Sequence, residues 1–196
     1  MINDFIGKGM TLVYGEAATG KTTLAMQLSF DTTKNKRVIF LDSEKGFSIE
    51  RFKQIAGEDY KKHLEKIFLL KVDSFDEQTK SIKKFSDVGD VGLVVVDTIG
   101  MYYRLEVRKN YSDANSKLDK QMKILKELTR KGVNVLINTQ VYSDVENEKI
   151  KNVGGNMLRN WCDVIIKLEK TPRKLIIEKP NKKEFVFDIK NEGLVI

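Results

Sequence analysis

A single short motif near the amino terminus constrains the fold more than any other feature of this chain. Gly15 and the run Gly20-Lys21-Thr22 have the spacing G-x-x-x-x-G-K-T. An apolar run, MTLVY (10–14), precedes the motif, and apolar residues recur at helical spacing after it. Glycines let successive backbone N–H groups point at one anion, and a following helix adds the positive end of its dipole. The motif therefore predicts a strand, a phosphate-binding loop and a helix.

The side chains of this loop have separate expected roles. The Lys21 ammonium would reach the β- and γ-phosphates of a nucleotide, and the Thr22 hydroxyl would coordinate Mg²⁺. The other predicted nucleotide contacts belong to the same loop and the first turn of the helix: Gly15, Glu16, Ala17, Ala18, Thr19, Gly20 and Thr23.

Beyond the loop, apolar runs alternate with amphipathic segments. Four runs rich in Val, Ile and Leu are typical of buried parallel strands. They are RVIFLD (37–42), IFLLKV (67–72), GLVVVD (92–97) and VNVLINT (133–139). A helix is predicted before the last run, because apolar residues from Leu118 to Leu128 recur every three or four positions and Gly132 follows.

Strand-like runs joined by short turns follow residue 163. The runs DVIIKLEK (163–170), KLIIEK (174–179) and EFVFDI (184–189) predict an antiparallel extension of the sheet. The whole pattern predicts an α/β fold, with a mostly parallel central sheet flanked by helices and antiparallel carboxy-terminal strands. A chain of 196 residues is expected to form one domain.

Polar residues stand at the carboxyl ends of the predicted strands, where α/β folds place their sites. Asp97 is suited to hold Mg²⁺ through water, or else to cap the following turn. Glu44 is suited to orient and polarise the water that attacks a γ-phosphate, and Asp42 is the alternative for that role. Gln140 would hydrogen-bond the γ-phosphate.

The charge of the chain is distributed unevenly. The net charge is +7; residues 1–103 carry 15 basic and 15 acidic residues, and residues 104–196 carry 20 and 13. Such asymmetry favours a polyanionic partner, although a lysine-rich surface also keeps a protein soluble. Cys162 and His63 are the only residues of their kinds, which excludes an internal disulfide and a His/Cys metal cluster. Without a signal peptide or an 18-residue apolar run, a cytoplasmic protein without membrane contact is expected.

Two segments that follow the predicted ligands are candidates for nucleic-acid contact. The first (102–113) places Arg104, Arg108 and Lys109 among tyrosines, a combination that suits single-stranded DNA. The second (141–155) contains Lys149 and Lys151 but also three acidic residues. We expect both segments to be loops.

Six stretches of the sequence, taken in chain order, resemble the ATPase core of the RecA/RadA recombinase family. The resemblance is greatest to the short archaeal members of that family. The matching stretches are GEAATGKTTLAMQLS, LDSEKGFSIERF, LVVVDTIG, KLDKQMKILKEL, INTQV and VGGNML. The resemblance covers nearly the whole chain and implies a RecA-like fold that binds ATP, Mg²⁺ and DNA. It implies a part in homologous recombination and DNA repair, assisting a full-length RadA-type recombinase or another recombination protein.

The resemblance also implies roles for single residues. Glu44 would be the catalytic carboxylate, acting with Lys21 and with Gln140 as γ-phosphate sensor, and Arg51 would stack on the adenine. Glu178 falls near the sequence position where the family has an acidic residue that caps the nucleotide of a neighbouring subunit.

Two departures from the family pattern modify these expectations. No helix-hairpin-helix domain precedes the core, so one RecA-like domain (1–196) that is a monomer or small oligomer is expected. Lys45 replaces a glycine beside Glu44, which makes weak or slow ATP hydrolysis the expectation. The alternative functions are a RecA-type regulatory or signalling ATPase that binds proteins and not DNA, and a small-molecule kinase, which the order of Glu44 and Gln140 fits less well.

Overall fold

The computed structural model describes Ile6 and residues 9–144, 149–152 and 155–196. Its strands are β1 (Met10–Gly15), β2 (Arg37–Asp42), β3 (Ile67–Lys71), β4 (Val91–Asp97), β5 (Asn134–Asp144), β6 (Lys149–Asn152), β7 (Val164–Lys170), β8 (Arg173–Lys179), β9 (Lys183–Val186), β10 (Asp188–Lys190) and β11 (Gly193–Val195). Its helices are α1 (Lys21–Thr33), α2 (Ile49–Ala56), α3 (Tyr60–Leu64), α4 (Phe75–Lys83), α5 (Gly100–Val107), α6 (Tyr111–Arg130) and α7 (Gly155–Trp161), with a 3₁₀ turn at Phe85–Asp87.

The central sheet has the order β3-β2-β4-β5-β1-β7-β8-β9, and β6 pairs with the outer part of β5. In that order, all neighbouring strands from β3 to β7 are parallel to each other. Antiparallel pairing begins between β7 and β8 and continues between β8 and β9. The predicted α/β architecture with an antiparallel carboxy-terminal extension is therefore confirmed.

Both faces of the sheet are covered, because alternate side chains of each strand point to opposite sides. Leu12 of β1 packs with Met122 and Leu125 of α6 on one face. Val13 packs with Leu24 of α1 on the other. This two-sided burial explains the continuous apolar runs that predicted the parallel strands.

The long helix α6 confirms the prediction made from apolar spacing. Its first turn is capped by Asn110, whose side-chain oxygen accepts a hydrogen bond from the backbone N–H of Asp113 at 3.0 Å. Gly132, with φ of 82°, follows its end in a conformation that favours glycine. The stripe from Leu118 to Leu128 is buried in the core.

The predicted burial of the run 67–72 is wrong for most of its length. Its strand, β3, pairs with β2 and ends the sheet on that side. Phe68, Leu69 and Leu70 are 41, 36 and 37% exposed. An edge position leaves one side of a strand without the cover that a central strand receives, and apolar composition alone does not distinguish the two.

The predicted strand 184–189 is divided into two elements. Buried Phe187 separates β9 from β10, which pairs with β11 in a hairpin outside the main sheet. This carboxy-terminal hairpin lies against α1, where the Gln27 side chain accepts from the Leu194 N–H at 2.9 Å and donates to the Leu194 carbonyl at 3.2 Å. In the described part of the chain, no helix is long and apolar enough to cross a membrane.

Candidate nucleotide-binding site

The G-x-x-x-x-G-K-T motif forms the predicted loop between β1 and α1. A Cβ at Gly15 would collide with the Leu168 carbonyl oxygen, so this strand end accommodates only glycine. Gly20 has φ of 104° and Ala18 has φ of 62°, which turn the backbone around the loop. The loop therefore requires glycine at Gly15 for a steric reason and favours glycine at Gly20 because of its backbone conformation.

The Lys21 ammonium lies inside this loop. It donates to the Gly15 carbonyl at 2.8 Å and to the Glu16 carbonyl at 2.7 Å. Burial lowers its pKa, and the negative charges of Asp97, Glu44 and Glu16 act in the opposite direction. The charged lysine is thus held at the start of α1, where the helix dipole also favours an anion.

A cavity of about 260 Å³ opens beside the loop. It brings together the predicted residues from four separate segments, and the carboxy-terminal hairpin contributes one wall through Ile189. The lining residues are Ala17, Ala18, Gly20, Lys21, Thr22, Thr23, Glu44, Asp97, Thr98, Gln140 and Ile189.

Asp97 is suited to a metal site. It ends β4 at 3% exposure, and its Oδ2 atom has no hydrogen-bond partner among the described residues. Burial raises its pKa to about 6, Asp42 and Glu44 add to the rise, and the Thr22 hydroxyl and the Asn138 amide oppose it. A buried carboxylate oxygen without a donor, beside a threonine hydroxyl, is the oxygen ligand set that Mg²⁺ prefers.

Glu44 projects into the cavity and is held from two sides. Its Oε1 atom accepts from the Thr98 hydroxyl at 2.9 Å, and the Gln140 amide nitrogen lies 2.9 Å from each carboxylate oxygen. The alternative base, Asp42, is buried, and its two oxygens accept from the Gly46 and Phe47 N–H groups at 3.0 Å each. Of the two carboxylates, Glu44 faces the site and Asp42 stabilises the turn after β2.

Sequence reasoning missed Thr98, which orients Glu44. Its backbone is fixed to the end of β2, because the Thr98 N–H donates to Ser43 Oγ at 2.9 Å and Ser43 Oγ donates to the Thr98 carbonyl at 2.7 Å. A hydroxyl residue directly after Asp97 at a strand end was the available signal. No feature of the sequence indicated Ile189, because it reaches the phosphate loop only through the placement of the carboxy-terminal hairpin.

Arg51 does not line the cavity. Its guanidinium donates to the Lys190 carbonyl at 2.6 Å and to the Gln54 side chain at 2.7 Å. It thereby contacts the turn next to Ile189, which does line the cavity. Its role beside an adenine stays a prediction.

The prediction that the first candidate DNA segment is a loop is wrong, because most of 102–113 is helical. Tyr102 donates to the Val72 carbonyl at 2.9 Å, and buried Tyr103 donates to Asn115 at 2.7 Å, so these rings anchor α5 to the body of the protein. The aromatic signal was therefore a packing signal, except at Tyr111, which is 70% exposed.

The basic residues predicted to bind DNA have different surroundings. Arg104 is exposed on α5 and lines a small space together with Glu44 and Gln140. Arg108 follows α5 at the surface, and Lys109 pairs with Glu106 at 2.9 Å. Lys149 and Lys151 belong to β6, and their side chains lie outside the described part of the chain.

Lys45 and Glu178, which the family comparison singled out, both have partners within this chain. Lys45, at φ of 58°, directs its ammonium to Asp73 at 3.0 Å rather than to Glu44. Glu178 is half-buried within its own subunit, accepting from Tyr14 at 2.7 Å and from Arg159 at 2.9 Å.

Comparisons with known proteins agree with this geometry. The Rad51 family model matches residues 3–195. The chain is 36% identical to the DNA repair and recombination protein RadB of Methanococcoides burtonii, over 87% of this chain and 80% of that protein. It is 33% identical to the protein of the same name from Methanoculleus marisnigri, over 98% and 93% of the two chains. A crystal structure of the RadB recombinase superposes with a TM-score of 0.81 at 31% identity, covering 98% of this chain and 94% of that one. The fold is RecA-like, and the chain belongs to the Rad51 family.

Proposed function

We propose that this protein binds ATP with Mg²⁺, binds DNA through its basic second half and acts in DNA repair and recombination. The observation that carries the proposal is the convergence of Lys21, Thr22, Asp97, Glu44 and Gln140 on one cavity. These residues supply each group that a P-loop ATPase site needs: a phosphate cradle, metal ligands and a carboxylate near the attacking water.

Each residue has one task in this proposal. Lys21 would exchange its two carbonyl contacts for phosphate oxygens, and Thr22 and Asp97 would hold Mg²⁺. A bound Mg²⁺ neutralises phosphate charge during transfer. Glu44 would orient a water molecule and accept its proton as the water oxygen bonds to the γ-phosphorus, while the bond from that phosphorus to the β,γ-bridging oxygen breaks and ADP leaves.

Slow hydrolysis and an assisting role belong to the same proposal. Glu178, which falls near the position of the family's acidic residue that caps a neighbouring subunit's nucleotide, accepts hydrogen bonds from Tyr14 and Arg159 of its own chain. A nucleotide in this chain would then lack that contribution from a second copy. This supports a partner, a full-length RadA-type recombinase, as the protein with which it acts.

Calorimetric titration of Mg²⁺-ATP into wild type and Lys21→Ala tests nucleotide binding. We expect the variant to lose measurable affinity, because it removes the charge that faces the β- and γ-phosphates. Lys34→Ala, at the far end of α1, is the matched control and should bind as wild type does. Equal affinity in Lys21→Ala and wild type would contradict the proposed site.

Binding of labelled single-stranded DNA near physiological salt separates this proposal from a regulatory ATPase that acts on proteins alone. Fluorescence anisotropy is the measurement. Nucleotide binding without DNA binding would favour the regulatory ATPase. Capture of a full-length RadA-type recombinase with and without ATP tests the partner.

A further inference from the structure

Asn138, in β5, is a fully buried amide whose polar atoms are unpaired. Neither its side-chain nitrogen nor its side-chain oxygen has a hydrogen-bond partner among the described residues. A primary amide carries two donors and an acceptor, and burying them unpaired costs free energy. Native proteins hold few such groups, so a role that offsets this cost is to be sought in the surroundings of Asn138.

The sheet places this amide beside Asp97. The two residues are partners in the parallel register of β4 and β5, so their side chains leave the same face of the sheet. That face is the one covered by α1, because Leu136, two residues before Asn138, packs in the same cluster as Leu24 of α1. Asp97 Oδ2 is also unpaired among the described residues. Two adjacent strands therefore each bring an unpaired polar side chain to the α1 side of the sheet.

An apolar residue would suit the position of Asn138 if packing were its only task. Its neighbour in β1 is Val13, and the next residue in the same row is Ile166 of β7, both of them buried. On the other side of Asp97 the row ends with Asp42, whose oxygens accept from the turn after β2. The row thus changes from apolar to polar at Asn138, next to the carboxylate that has an unpaired oxygen.

The two unpaired groups complement each other around a hydrated cation. Mg²⁺ keeps several of its waters and is bound by one or two carboxylates together with phosphate oxygens. The Asn138 nitrogen can donate to a carboxylate oxygen, and its carbonyl oxygen can accept from a water of the ion. Burial raises the pKa of Asp97, and the Asn138 amide is close enough to oppose that rise, although the two side chains are not in hydrogen-bonding geometry.

We propose that Asn138 is a positioning residue of the magnesium site, which orients Asp97 and a water of the ion when Mg²⁺-ATP is bound. The inference rests on the proposed function and adds one residue to its metal site. Asn138 acts through Asp97 and water, so its effect is confined to the bound ion. Its contribution is therefore a larger gain in ATP affinity when Mg²⁺ is present, and not a stronger grip on the phosphates themselves.

The Mg²⁺ dependence of nucleotide affinity tests this proposal without turnover. A non-hydrolysable ATP analogue is titrated into each protein by calorimetry, once with Mg²⁺ and once with EDTA. The ratio of the two affinities is the magnesium enhancement. Asn138→Val and Asn138→Thr form a matched pair, because the two side chains have the same shape and only threonine has a hydroxyl that donates and accepts.

We expect the magnesium enhancement to fall about tenfold in Asn138→Val and to stay within about threefold of wild type in Asn138→Thr. The affinity measured with EDTA should be the same in all three proteins, because Lys21 and the phosphate loop contact the phosphates without Asn138. Circular dichroism verifies that the variants are folded, and Asn138→Ala replaces the valine variant if that one does not fold.

Gln121→Met is the control for the loss of a buried amide as such. Gln121 is fully buried in α6, on the opposite face of the sheet, where it accepts from Gln78 at 2.8 Å and donates to Thr79 at 2.7 Å. Its replacement should lower the melting temperature, since both hydrogen bonds are lost, and leave the magnesium enhancement as in wild type.

Equal magnesium enhancement in Asn138→Val and Asn138→Thr overturns the role of Asn138, and so does an equal fall in Gln121→Met. The failure of the proposed function gives a different result. If wild type binds the analogue neither with Mg²⁺ nor with EDTA, the nucleotide site itself is refuted. If wild type shows the enhancement and both Asn138 variants keep it in full, only the inference about Asn138 fails.

Discussion

At the scale of single residues, Asp97, which we propose as a metal ligand, is electrostatically unfavourable in the nucleotide-free fold. Asp97 is a buried carboxylate with one oxygen that lacks a donor, and burial raises its pKa to about 6. At neutral pH the folded nucleotide-free protein therefore retains a charge that its surroundings do not fully compensate. Such a group destabilises the fold in exchange for affinity toward a cation.

The first prediction concerns pH. The Asp97 carboxyl has a pKa of about 6 when folded and an ordinary value of 3.8, so between these values the folded state binds more protons than the unfolded state. Its contribution therefore makes the free energy of unfolding fall as pH rises from about 4 to about 6. Asp97→Asn should remove this part of the pH dependence and stabilise the nucleotide-free protein at pH 7 by on the order of 2–3 kcal/mol.

Urea unfolding of both proteins at several pH values, with and without Mg²⁺-ATP, is the measurement. The variant should also lose the extra stability that Mg²⁺-ATP gives wild type. A destabilised Asp97→Asn protein at pH 7 would show that the buried carboxylate is compensated after all.

At the scale of elements, the carboxy-terminal hairpin is closely attached to the rest of the nucleotide site. It places Ile189 in the cavity wall and contacts Arg51 through its turn. Its attachment to α1 includes two hydrogen bonds of Gln27 with Leu194 and the close approach of Gly193, at φ of 115°, to the same side chain. The hairpin and the phosphate-loop helix therefore form one wall.

The second prediction follows from that attachment. Gln27→Ala removes both hydrogen bonds and should destabilise the protein by about 1–2 kcal/mol, since each is worth about 1 kcal/mol. Amide exchange across 188–195 should become faster, and nucleotide affinity should fall severalfold because the Ile189 wall is less ordered. Hydrogen-exchange mass spectrometry and calorimetry are the measurements.

Gln54→Ala is the control. In the described part of the chain, the Gln54 side chain accepts a hydrogen bond from Arg51 and makes none to the hairpin backbone. Unchanged exchange over 188–195 in Gln27→Ala would mean that apolar packing of Leu194 alone holds the hairpin.

At the scale of the whole molecule, the excess positive charge and most of the nucleotide site come from different halves of the sequence. The excess of seven positive charges falls after residue 103, whereas the phosphate loop, Glu44 and Asp97 precede it. The fold joins the halves at α5, where Arg104 lines a space with Glu44 and Gln140. An anion bound by α5 would therefore lie close to the candidate nucleotide-binding site.

The third prediction is that DNA binding is mainly electrostatic. On single strands the logarithm of affinity falls with the logarithm of salt concentration, with a slope of about −0.7 per phosphate contact. Replacing Arg104, Arg108 and Lys109 together by Ala should flatten that slope by about two units and weaken all sequences alike. Anisotropy across a salt series measures it.

The matched control removes the same charge from the first half, with Ala at the exposed residues Lys61, Lys62 and Lys80. We expect it to leave the slope close to that of wild type. If both triple variants change the slope equally, net charge and not a local surface binds the DNA.

By itself the sequence determined the parts of this protein that depend on short-range physics. The strand, loop and helix around Lys21, the bounds of β2 and the course of α6 could be predicted, because glycine conformation and apolar periodicity act over a few residues. The placement of Asp97, Glu44 and Gln140 at one edge also followed, since parallel strands end at the same side of a sheet.

Only the tertiary structure decided the rest, because those features depend on contacts between distant segments. Glu44 faces the cavity, and not Asp42, because Asp42 is used by the turn after β2. Tyr102 and Tyr103 hydrogen-bond to the body of the protein, and β3 is exposed because no further described strand pairs with it on that side of the sheet. Glu178 meets Tyr14 across 164 residues of chain. Local patterns identify which side chains are available, and long-range packing selects the partners that each of them contacts.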